Sequence, residues 1–194
     1  NAMGEYQAML DTIRDGFVNK TKAECPEDLT ERANHIKSFG YFSDASIIGI
    51  CKLNPEAFLK DPFRNPGIDA LSEALKTRQT KTLASGIDMI MANLRESLEA
   101  PPSCIKDHTH AVVFAYEYPR DPKKQEPGFD WIEDAQAQRA ALRANETASV
   151  IANYFRLLGF KAKAHSGTSS DVDLNKLIIE SGLGSLEDGK LVNP

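Results

Sequence analysis

The polar loop that follows the segment Lys161–His165 carries the residues best suited to bind a ligand. Lys161–His165 reads as a short strand, and the loop Ser166–Asp171 leads from it into a helix. Gly167 lets the backbone bend there, and the first free N–H groups of the helix would point into the junction. Ligands bind at such strand–helix junctions in α/β folds, and free helical N–H groups accept phosphate or carboxylate. His165 and this loop are therefore candidate binding residues.

Two simpler interpretations of the same loop stay open. Ser170 or Asp171 could only cap the helix, with Asp173 placed three residues after Ser170 as in a capping box. His165 could equally be an ordinary surface histidine. The loop lacks the second glycine and the Lys-Ser/Thr ending of a phosphate-binding loop. The sequence thus favours capping as the structural role and leaves anion binding as a hypothesis.

Tyr116 and Tyr118 leave the strand predicted at His110–Pro119, at an exit position where binding residues often lie. One of them is expected to face the core and the other a cleft, and the spacing does not select between them. A phenol can serve as the proton donor in a reductive step. Both tyrosines are therefore candidate catalytic residues.

Histidine and cysteine residues offer only weak metal sites. His108 and His110 form an H-x-H on the approach to a strand, which places both side chains on one face. No carboxylate or cysteine at convincing spacing completes a site, so no metal ligand is assigned. Cys25, Cys51 and Cys104 are odd in number and include no C-x-x-C pair. We expect three reduced thiols and no iron–sulfur cluster ligated wholly by this chain.

Hydrophobic periodicity predicts the elements that position these residues. Strands are expected at Ala45–Leu53, where the run is apolar and buried, at His110–Pro119, and as a short strand at Lys161–His165. Helices are expected at Glu5–Val18, Pro26–Gly40, Ile68–Arg78, Leu83–Leu98 and Asp130–Leu158, with one more after Ser166–Asp171 and a helical turn or two at Asn54–Pro62. In the longest of them, Ala148, Ile151, Phe155 and Leu158 share one face, and Gly159 suits the C-terminal end.

This alternation of helices and strands predicts an α/β fold with a central mixed sheet that is covered by helices on both faces. No linker divides the chain, so residues 3–194 are predicted to form a single domain. Asn1 and Ala2, ahead of Met3, are interpreted as an expression scar.

Composition argues against several classes of function. The net charge is -5 and the basic residues are scattered, which argues against nucleic-acid binding. No apolar run approaches the roughly 18–20 residues that span a bilayer. The N-terminus shows no secretory signal, so a cytoplasmic location is the default expectation.

Several segments resemble cobalamin-dependent reductive dehalogenases. FGYFSDASIIGICKLNPEAF is similar to an early segment of that family, and HAVVFAYEYP to the strand that follows it. ETASVIANYFRLLGFKAKAHS resembles the family block A-x-x-I-A-x-Y-I-R-x-L-G-Y-x-A. IIESGLGSLEDGKLVNP resembles the block A-G-L-G-E-x-G-R-x-G-L-L-I-T-P, and epoxyqueuosine reductases share the same core. The likeness covers about Leu29–Pro194.

The resemblance implies a nitroreductase-like fold that holds a corrinoid (cobalamin). In the family, a ferredoxin-like module with two 4Fe–4S clusters follows and passes electrons to cobalt. This chain would then be the N-terminal part of the corrinoid-binding domain of a longer reductase, or a small relative without that module. The cofactor-binding candidates are His165, Ser166, Gly167, Thr168, Ser169, Ser170, Gly182, Leu183, Gly184 and Lys190.

One departure from the family pattern shapes the functional hypothesis. The E-x-G-R after G-L-G is replaced by Ser185–Asp188, and Lys190 supplies positive charge without the bidentate fork of Arg. The leading hypothesis is a corrinoid-binding-type oxidoreductase domain that is not catalytically complete alone. The alternatives are a non-catalytic binding or assembly domain without cofactor, and an FMN-dependent nitroreductase-like enzyme. Expected partners are a small-molecule substrate or the corrinoid, an electron-donor module, or a second copy of the chain.

Overall fold

The computed structural model describes residues 2–77, 101–187 and 190–192. More of these residues lie in helices than in strands. The helices are α1 (Ala2–Thr12), α2 (Leu29–Phe42), α3 (Gly67–Thr77), α4 (Phe129–Ile132), α5 (Ala135–Leu157) and α6 (Leu174–Glu180). Single 3-10 turns occur at Pro55–Ala57 and Ile105–Asp107. The long helix α5 packs against α1, and α3 packs against α1 as well.

The described strands form three two-stranded antiparallel sheets. The strands are β1 (Ile47–Lys52), β2 (Phe58–Phe63), β3 (His110–Ala115), β4 (Ser170–Val172), β5 (Ser185–Glu187) and β6 (Lys190–Val192). β1 pairs with β3 in regular register, from Ile47 opposite Ala115 to Lys52 opposite His110. β2 pairs with β4 through an irregular register, and β5 pairs with β6.

Helices cover both faces of the β1–β3 sheet. On one face, an apolar core joins the sheet to α6. We call it the apolar core, and its buried members are Cys51, Leu53, Ala57, Val172 and Leu177. On the other face α2 lies so close that a Cβ at Gly40 would collide with the side chains of Ile48 and Phe114. Glycine is therefore needed at Gly40 because the helix backbone rests directly on the sheet.

The α/β class is confirmed, but the expected single mixed sheet is not what the described strands form. The segment Lys161–His165, predicted as a strand, joins no ladder. Its Ala164 N–H donates instead to the Arg14 carbonyl at 2.8 Å. Lys163 and His165 are drawn into polar contacts with other segments. Because this segment pairs with no strand, the β1–β3 sheet does not continue through it.

Several element boundaries also differ from the sequence pattern. Asn54–Pro62 was expected as helix, yet it forms a 3-10 turn followed by β2. Pro62 therefore lies in a strand, which an edge position tolerates because no N–H is needed there. The helix predicted at Pro26–Gly40 spans Leu29–Phe42. It begins at Leu29 because the Asp28 carboxylate accepts the Thr30 N–H at 2.9 Å and so caps it, and it continues past Gly40 to Phe42.

The helix predicted at Asp130–Leu158 is interrupted by Asp134, whose φ of 60° separates α4 from α5. Its end is confirmed. Gly159 has a φ of 84°, its N–H donates to the Arg156 carbonyl, and the Phe160 N–H donates to the Phe155 carbonyl. These two bonds form a Schellman cap, which requires the left-handed conformation that glycine adopts readily.

Two further helix predictions have different outcomes. The helix expected at Glu5–Val18 ends at Thr12. The helix expected at Leu83–Leu98 lies outside the described residues.

Candidate functional site

The loop Ser166–Asp171 forms a tight turn and then a strand. The Ser166 N–H donates to the Ser169 carbonyl at 3.0 Å, and the Ser169 N–H donates back to the Ser166 carbonyl at 3.3 Å. Ser170 opens β4, and its hydroxyl donates to the Val172 carbonyl at 2.8 Å. The exposed tip of the turn consists of Gly167 and Thr168.

The helix that follows begins later than the sequence suggested. Asp173 is the N-cap of α6, and its carboxylate accepts the N–H groups of Asn175 and Lys176 at 3.0 and 3.2 Å. The expectation that Ser170 or Asp171 caps this helix is therefore wrong, because both lie in β4. Two of the N–H groups proposed to accept an anion already bind the protein's own carboxylate.

The turn is held by a buried carboxylate that the sequence did not reveal. Asp11, in α1, is 2% exposed. Its Oδ1 accepts hydrogen bonds from Asn145 Nδ2 and Ser166 Oγ, both at 2.8 Å. Its Oδ2 accepts from Thr168 Oγ1 at 2.6 Å and Asn65 Nδ2 at 2.8 Å. A carboxylate is tolerated in the interior when its oxygens are supplied with donors in this way.

No local spacing links Asp11 to these four partners. Asn145 and Ser166 are 134 and 155 positions away in the sequence. A single aspartate in a helix normally indicates a solvent-facing position. The network therefore becomes visible only when α1, α5 and the turn are brought together.

A second buried cluster lies beside β4. The Asp171 carboxylate contacts Lys163 Nζ at 2.5 Å and the Arg14 guanidinium at 3.1 Å. Lys163 also lies 3.7 Å from Asp15, which accepts two hydrogen bonds from Ser103 at 2.7 Å. Burial alone would raise the pKa of Asp171, but the hydrogen bond from Lys163 and the charge of Arg14 lower it below its usual value. These interior charges are therefore matched with one another.

His165 belongs to this second cluster. It is partly buried, and its Nδ1 accepts the Asp171 N–H at 3.2 Å. Burial and the positive charge of Arg14 lower the pKa of His165 to about 3. The imidazole is therefore neutral at physiological pH and acts as a hydrogen-bond acceptor within the fold. The alternative that His165 is an ordinary surface histidine is therefore wrong.

Arg156 anchors α5 to the segments that carry these clusters. It is 4% exposed, and its guanidinium donates to the carbonyls of Ile13, Arg14 and Ala162 at 3.1, 3.3 and 3.0 Å. Guanidinium groups suit this role because their donors fan out in one plane. We call the two clusters together with this arginine the polar core; its charged and amide members are Asp11, Arg14, Asp15, Asn145, Arg156, Lys163, His165 and Asp171.

The two candidate tyrosines have different environments. The Tyr116 hydroxyl donates to the Ser43 carbonyl at 2.8 Å and contacts the Thr147 hydroxyl, and Arg143 lies over its ring. Burial raises the pKa of the Tyr116 phenol. Tyr118 is 47% exposed in the loop after β3. Tyr116 is therefore the tyrosine that packs inward, and its proton is already committed to a backbone carbonyl.

The Gly182–Gly184 turn ends α6. Gly182 has a φ of 73°, its N–H donates to the Ile179 carbonyl, and the Leu183 N–H donates to the Ile178 carbonyl at 3.0 Å. This is a second Schellman cap. A Cβ at Gly49 of β1 would lie 2.9 Å from Leu183 Cγ, so the turn packs directly on the sheet. Lys190 opens β6.

These predicted site residues therefore fall into separate environments. His165, Ser166 and Thr168–Ser170 surround the polar core, Gly182–Gly184 rests on β1, and Tyr116 lies between α2 and α5. None of them lines the shallow depression of about 430 Å³ that the loop 124–131 forms. The structure does not bring the tyrosines and the loop into one shared pocket within the part of the chain that it describes.

The histidines and cysteines form no metal centre among the described residues. His108 Nδ1 contacts the Cys104 carbonyl, while His110 is exposed at the start of β3. Within residues 2–77, 101–187 and 190–192, no three His, Cys, Asp or Glu side chains converge as a metal site would require. None of the helices described there has the length and apolar character to cross a membrane. Cys25, Cys51 and Cys104 are free thiols.

Solved structures of a reductive dehalogenase resemble this chain along its whole length. The catabolic reductive dehalogenase NpRdhA matches 99% of the chain with 29% sequence identity and a TM-score of 0.70. A structure described as suggesting a mechanism for B12-dependent dehalogenation matches equally well. NpRdhA in complex with 3-bromo-4-hydroxybenzoic acid matches 100% of the chain with a TM-score of 0.69.

The match covers only part of those proteins. This chain spans about a fifth of their length, 22% and 21% of the chains compared. No family model and no curated relative matches the sequence. The chain thus has the fold of a portion of a B12-dependent reductive dehalogenase, to which it is 29% identical.

Proposed function

We propose that this chain is part of the corrinoid-binding-type domain of an oxidoreductase resembling reductive dehalogenases, and that it is not catalytically complete alone. The observation that carries the proposal is the likeness over 99% of the chain at 29% identity and a TM-score of 0.70. Its N-terminal place in the longer reductase and its nitroreductase-like core are part of the same proposal. An electron-donor module with 4Fe–4S clusters is the partner that this function requires.

The fit of a corrinoid to these residues is incomplete. The hydroxyls of Ser166 and Thr168 are committed to Asp11, and His165 Nδ1 accepts a backbone N–H. Gly167 and Gly182 remain accessible, and each has open space where a Cβ would lie. A flat ligand could approach those two backbones, but they do not converge with other polar groups among the described residues. The described residues therefore supply only part of a corrinoid site, and we derive no chemical step through one.

The role that remains is positional. The polar core fixes the Ser166–Ser169 turn against α1 and α5. The Schellman cap fixes Gly182 at the end of α6, next to Leu183, which packs on β1. The open backbone surfaces at Gly167 and Gly182 are therefore held in defined positions by the elements that carry them. Such surfaces could contact one side of a large flat cofactor, with the remaining contacts supplied by other parts of the reductase.

Titration of the purified chain with hydroxocobalamin, followed by visible absorbance and equilibrium dialysis, tests this proposal. We expect weak but saturable binding, which Gly167→Gln weakens because the new side chain would fill the open edge of the turn. Gly4→Gln is the matched control, because a Cβ at Gly4 also meets nothing within 4 Å. Absence of binding by the chain and by the longer reductase would overturn the proposal.

A non-catalytic binding or assembly domain is the second candidate. The observation that favours it is that the predicted loop is filled by the protein's own Asp11 network. It predicts a stable fold that binds neither hydroxocobalamin nor FMN in the same titration. An FMN-dependent nitroreductase-like enzyme stays a prediction from the sequence, and a yellow preparation that releases FMN on denaturation would support it.

A further inference from the structure

A histidine side chain binds the backbone of the short strand β4. This strand pairs with β2, but its Asp171 N–H donates to His165 Nδ1 at 3.2 Å. The segment 161–165 therefore contributes an imidazole nitrogen at a place where a neighbouring strand would contribute a carbonyl oxygen. A carbonyl oxygen does not titrate, whereas an imidazole nitrogen takes up a proton in acid. This link to the backbone of β4 can thus be broken by a proton.

The hydrogen bond fixes the protonation state of the ring. A backbone N–H can only donate, so Nδ1 of His165 is the unprotonated nitrogen and Nε2 carries the ring proton. A proton added at Nδ1 would place two hydrogens between Nδ1 and the Asp171 nitrogen. The bond cannot survive that change, because neither atom would then be an acceptor.

The charged groups that face His165 oppose a positive imidazole. They are Arg14 after α1, Lys163 in the same segment, Asp171 in β4 and the imidazole of His108. The Asp171 carboxylate, which would attract a cation, is already bound by Lys163 Nζ at 2.5 Å and by the Arg14 guanidinium at 3.1 Å. The surroundings of the ring therefore favour its neutral form.

The polar core as a whole has matched charges. Its three carboxylates and three cations are Asp11, Asp15, Asp171, Arg14, Arg156 and Lys163. A cationic His165 would add a fourth positive charge to that set, with no further carboxylate to balance it. An unbalanced charge in the interior is costly, so the ring either stays neutral or leaves this environment.

We propose that His165 is a proton-operated latch on β4. Uptake of a proton from solvent at Nδ1 releases the Asp171 N–H and moves the ring out of the polar core, while the Ser166–Ser169 turn stays tied to Asp11 by its hydroxyls. The separation can remain local because the segment 161–165 joins no strand ladder among the described residues. The latch needs neither corrinoid nor substrate, so it stands apart from the proposed function.

The direction of the pH effect follows from the two environments of the ring. The pKa of His165 is about 3 in the closed state, and the released ring takes its ordinary pKa of 6.5. The released state thus binds more protons and gains on the closed state as the pH falls from 6.5 toward 3. From about pH 7.5 to about pH 4.5, the ratio of released to closed molecules should rise about a hundredfold.

Hydrogen exchange of the full chain, read residue by residue by NMR, tests the latch. We expect the protection factor of the Asp171 amide to fall about a hundredfold over that pH range and to be insensitive to low urea concentrations. The Ser169 amide, which donates to the Ser166 carbonyl at 3.3 Å, should remain better protected at the lower pH. Equal exposure of these two amides would mean that the turn opens as a whole, which overturns the latch.

Two other exchange results would also overturn it. One is an Asp171 amide whose protection does not change with pH. The other is an Asp171 amide that shares the urea dependence of the Leu53 amide, which donates to Thr109 beside the β1–β3 sheet. In that case the loss of protection would come from global unfolding rather than from a local release.

His165→Asn provides a variant arm. The Asn Oδ1 lies as many bonds from the backbone as the His Nδ1, can accept the Asp171 N–H and does not titrate, so the protection of this amide should become independent of pH. His108→Asn is the matched control, because it removes a neighbouring imidazole and should keep the hundredfold change. Loss of the pH dependence in His108→Asn, or its survival in His165→Asn, would contradict the latch.

The nitrogen NMR signals of the His165 ring give a readout that needs no variant. At neutral pH they should show Nε2 protonated and Nδ1 unprotonated. A ring protonated at Nδ1 at neutral pH could not accept the Asp171 N–H, and the latch would then be wrong.

Discussion

The apolar core under the β1–β3 sheet and the polar core between α1 and α5 both contain buried side chains but differ in what fills them. Val172 and Leu177 in the apolar core are 2% and 5% exposed, and Asp11 and Arg156 in the polar core are 2% and 4% exposed. Apolar burial is non-directional and tolerates small shifts. A buried carboxylate or guanidinium depends on each of its hydrogen bonds. The polar core is therefore the more sensitive of the two regions, and it holds the turn that the proposed function involves.

Removal of the central carboxylate should have the largest effect. Asp11→Ala leaves the buried donors of Asn145 and Ser166 without their acceptor, and we expect a loss of about 4 kcal/mol of unfolding free energy. Urea denaturation of the purified variant measures it. Asp69→Ala is the matched control, because the Asp69 side chain is 77% exposed, and it should cost less than about 1 kcal/mol. Similar losses for the two variants would contradict the structural role of Asp11.

An equivalent deletion in the apolar core should cost less. Leu177→Ala removes buried methyl groups and leaves a cavity against Val172, and we expect a loss of about 3 kcal/mol. Leu157→Ala, at a residue 63% exposed on α5, should change the stability by less than about 0.5 kcal/mol. The comparison would fail if Leu177→Ala proved more costly than Asp11→Ala under the same denaturation conditions.

Acid should weaken the polar core selectively. The folded pKa of His165 is lowered to about 3 from 6.5, so the folded state binds fewer protons than the unfolded state between these values. The contribution of His165 to the free energy of unfolding is therefore fully present above pH 6.5. It decreases as the pH falls toward 3, and the loss is on the order of 2 kcal/mol by about pH 4.5. The lowered pKa of Asp171 adds a further loss only below its usual value of 3.8.

His165→Asn separates these contributions. Asparagine stays neutral and can still accept the Asp171 N–H, so the variant should fold at neutral pH with a flatter stability profile between about pH 6.5 and 4.5. Urea denaturation at a series of pH values provides the measurement. Leu177→Ala serves as the reference, since it should lower stability without changing the slope. A slope in His165→Asn equal to that of the wild type would remove His165 as the cause.

Local patterns were sufficient for much of the fold. The apolar runs at Ala45–Leu53 and His110–Pro119 contain β1 and β3, and the glycine after the long helix does carry the left-handed cap. These features depend on neighbours in the chain, because side-chain periodicity and φ > 0 are local properties. The α/β class and the likeness to reductive dehalogenases could also be predicted, because both were inferred from patterns of neighbouring residues.

Sequence spacing could not show how the candidate site is used. Asp11, Asn145 and Ser166 come from α1, α5 and a turn, and their contact depends on how these segments pack. The same holds for Lys163 and His165, whose short run reads as a strand until Asp171 and Arg14 are placed beside it. A loop that appears free to bind an anion is instead satisfied by the protein's own carboxylates.

The sequence by itself thus determined the principal helices, the strands β1 and β3, the glycine that ends α5, and which family the chain resembles. The tertiary structure alone decided that the hydroxyls of Ser166 and Thr168 donate to the carboxylate of Asp11. It also decided that the Asp171 N–H donates to His165 Nδ1. The physical reason is that hydrogen bonding between distant segments depends on three-dimensional position, whereas periodicity and capping depend only on neighbouring residues.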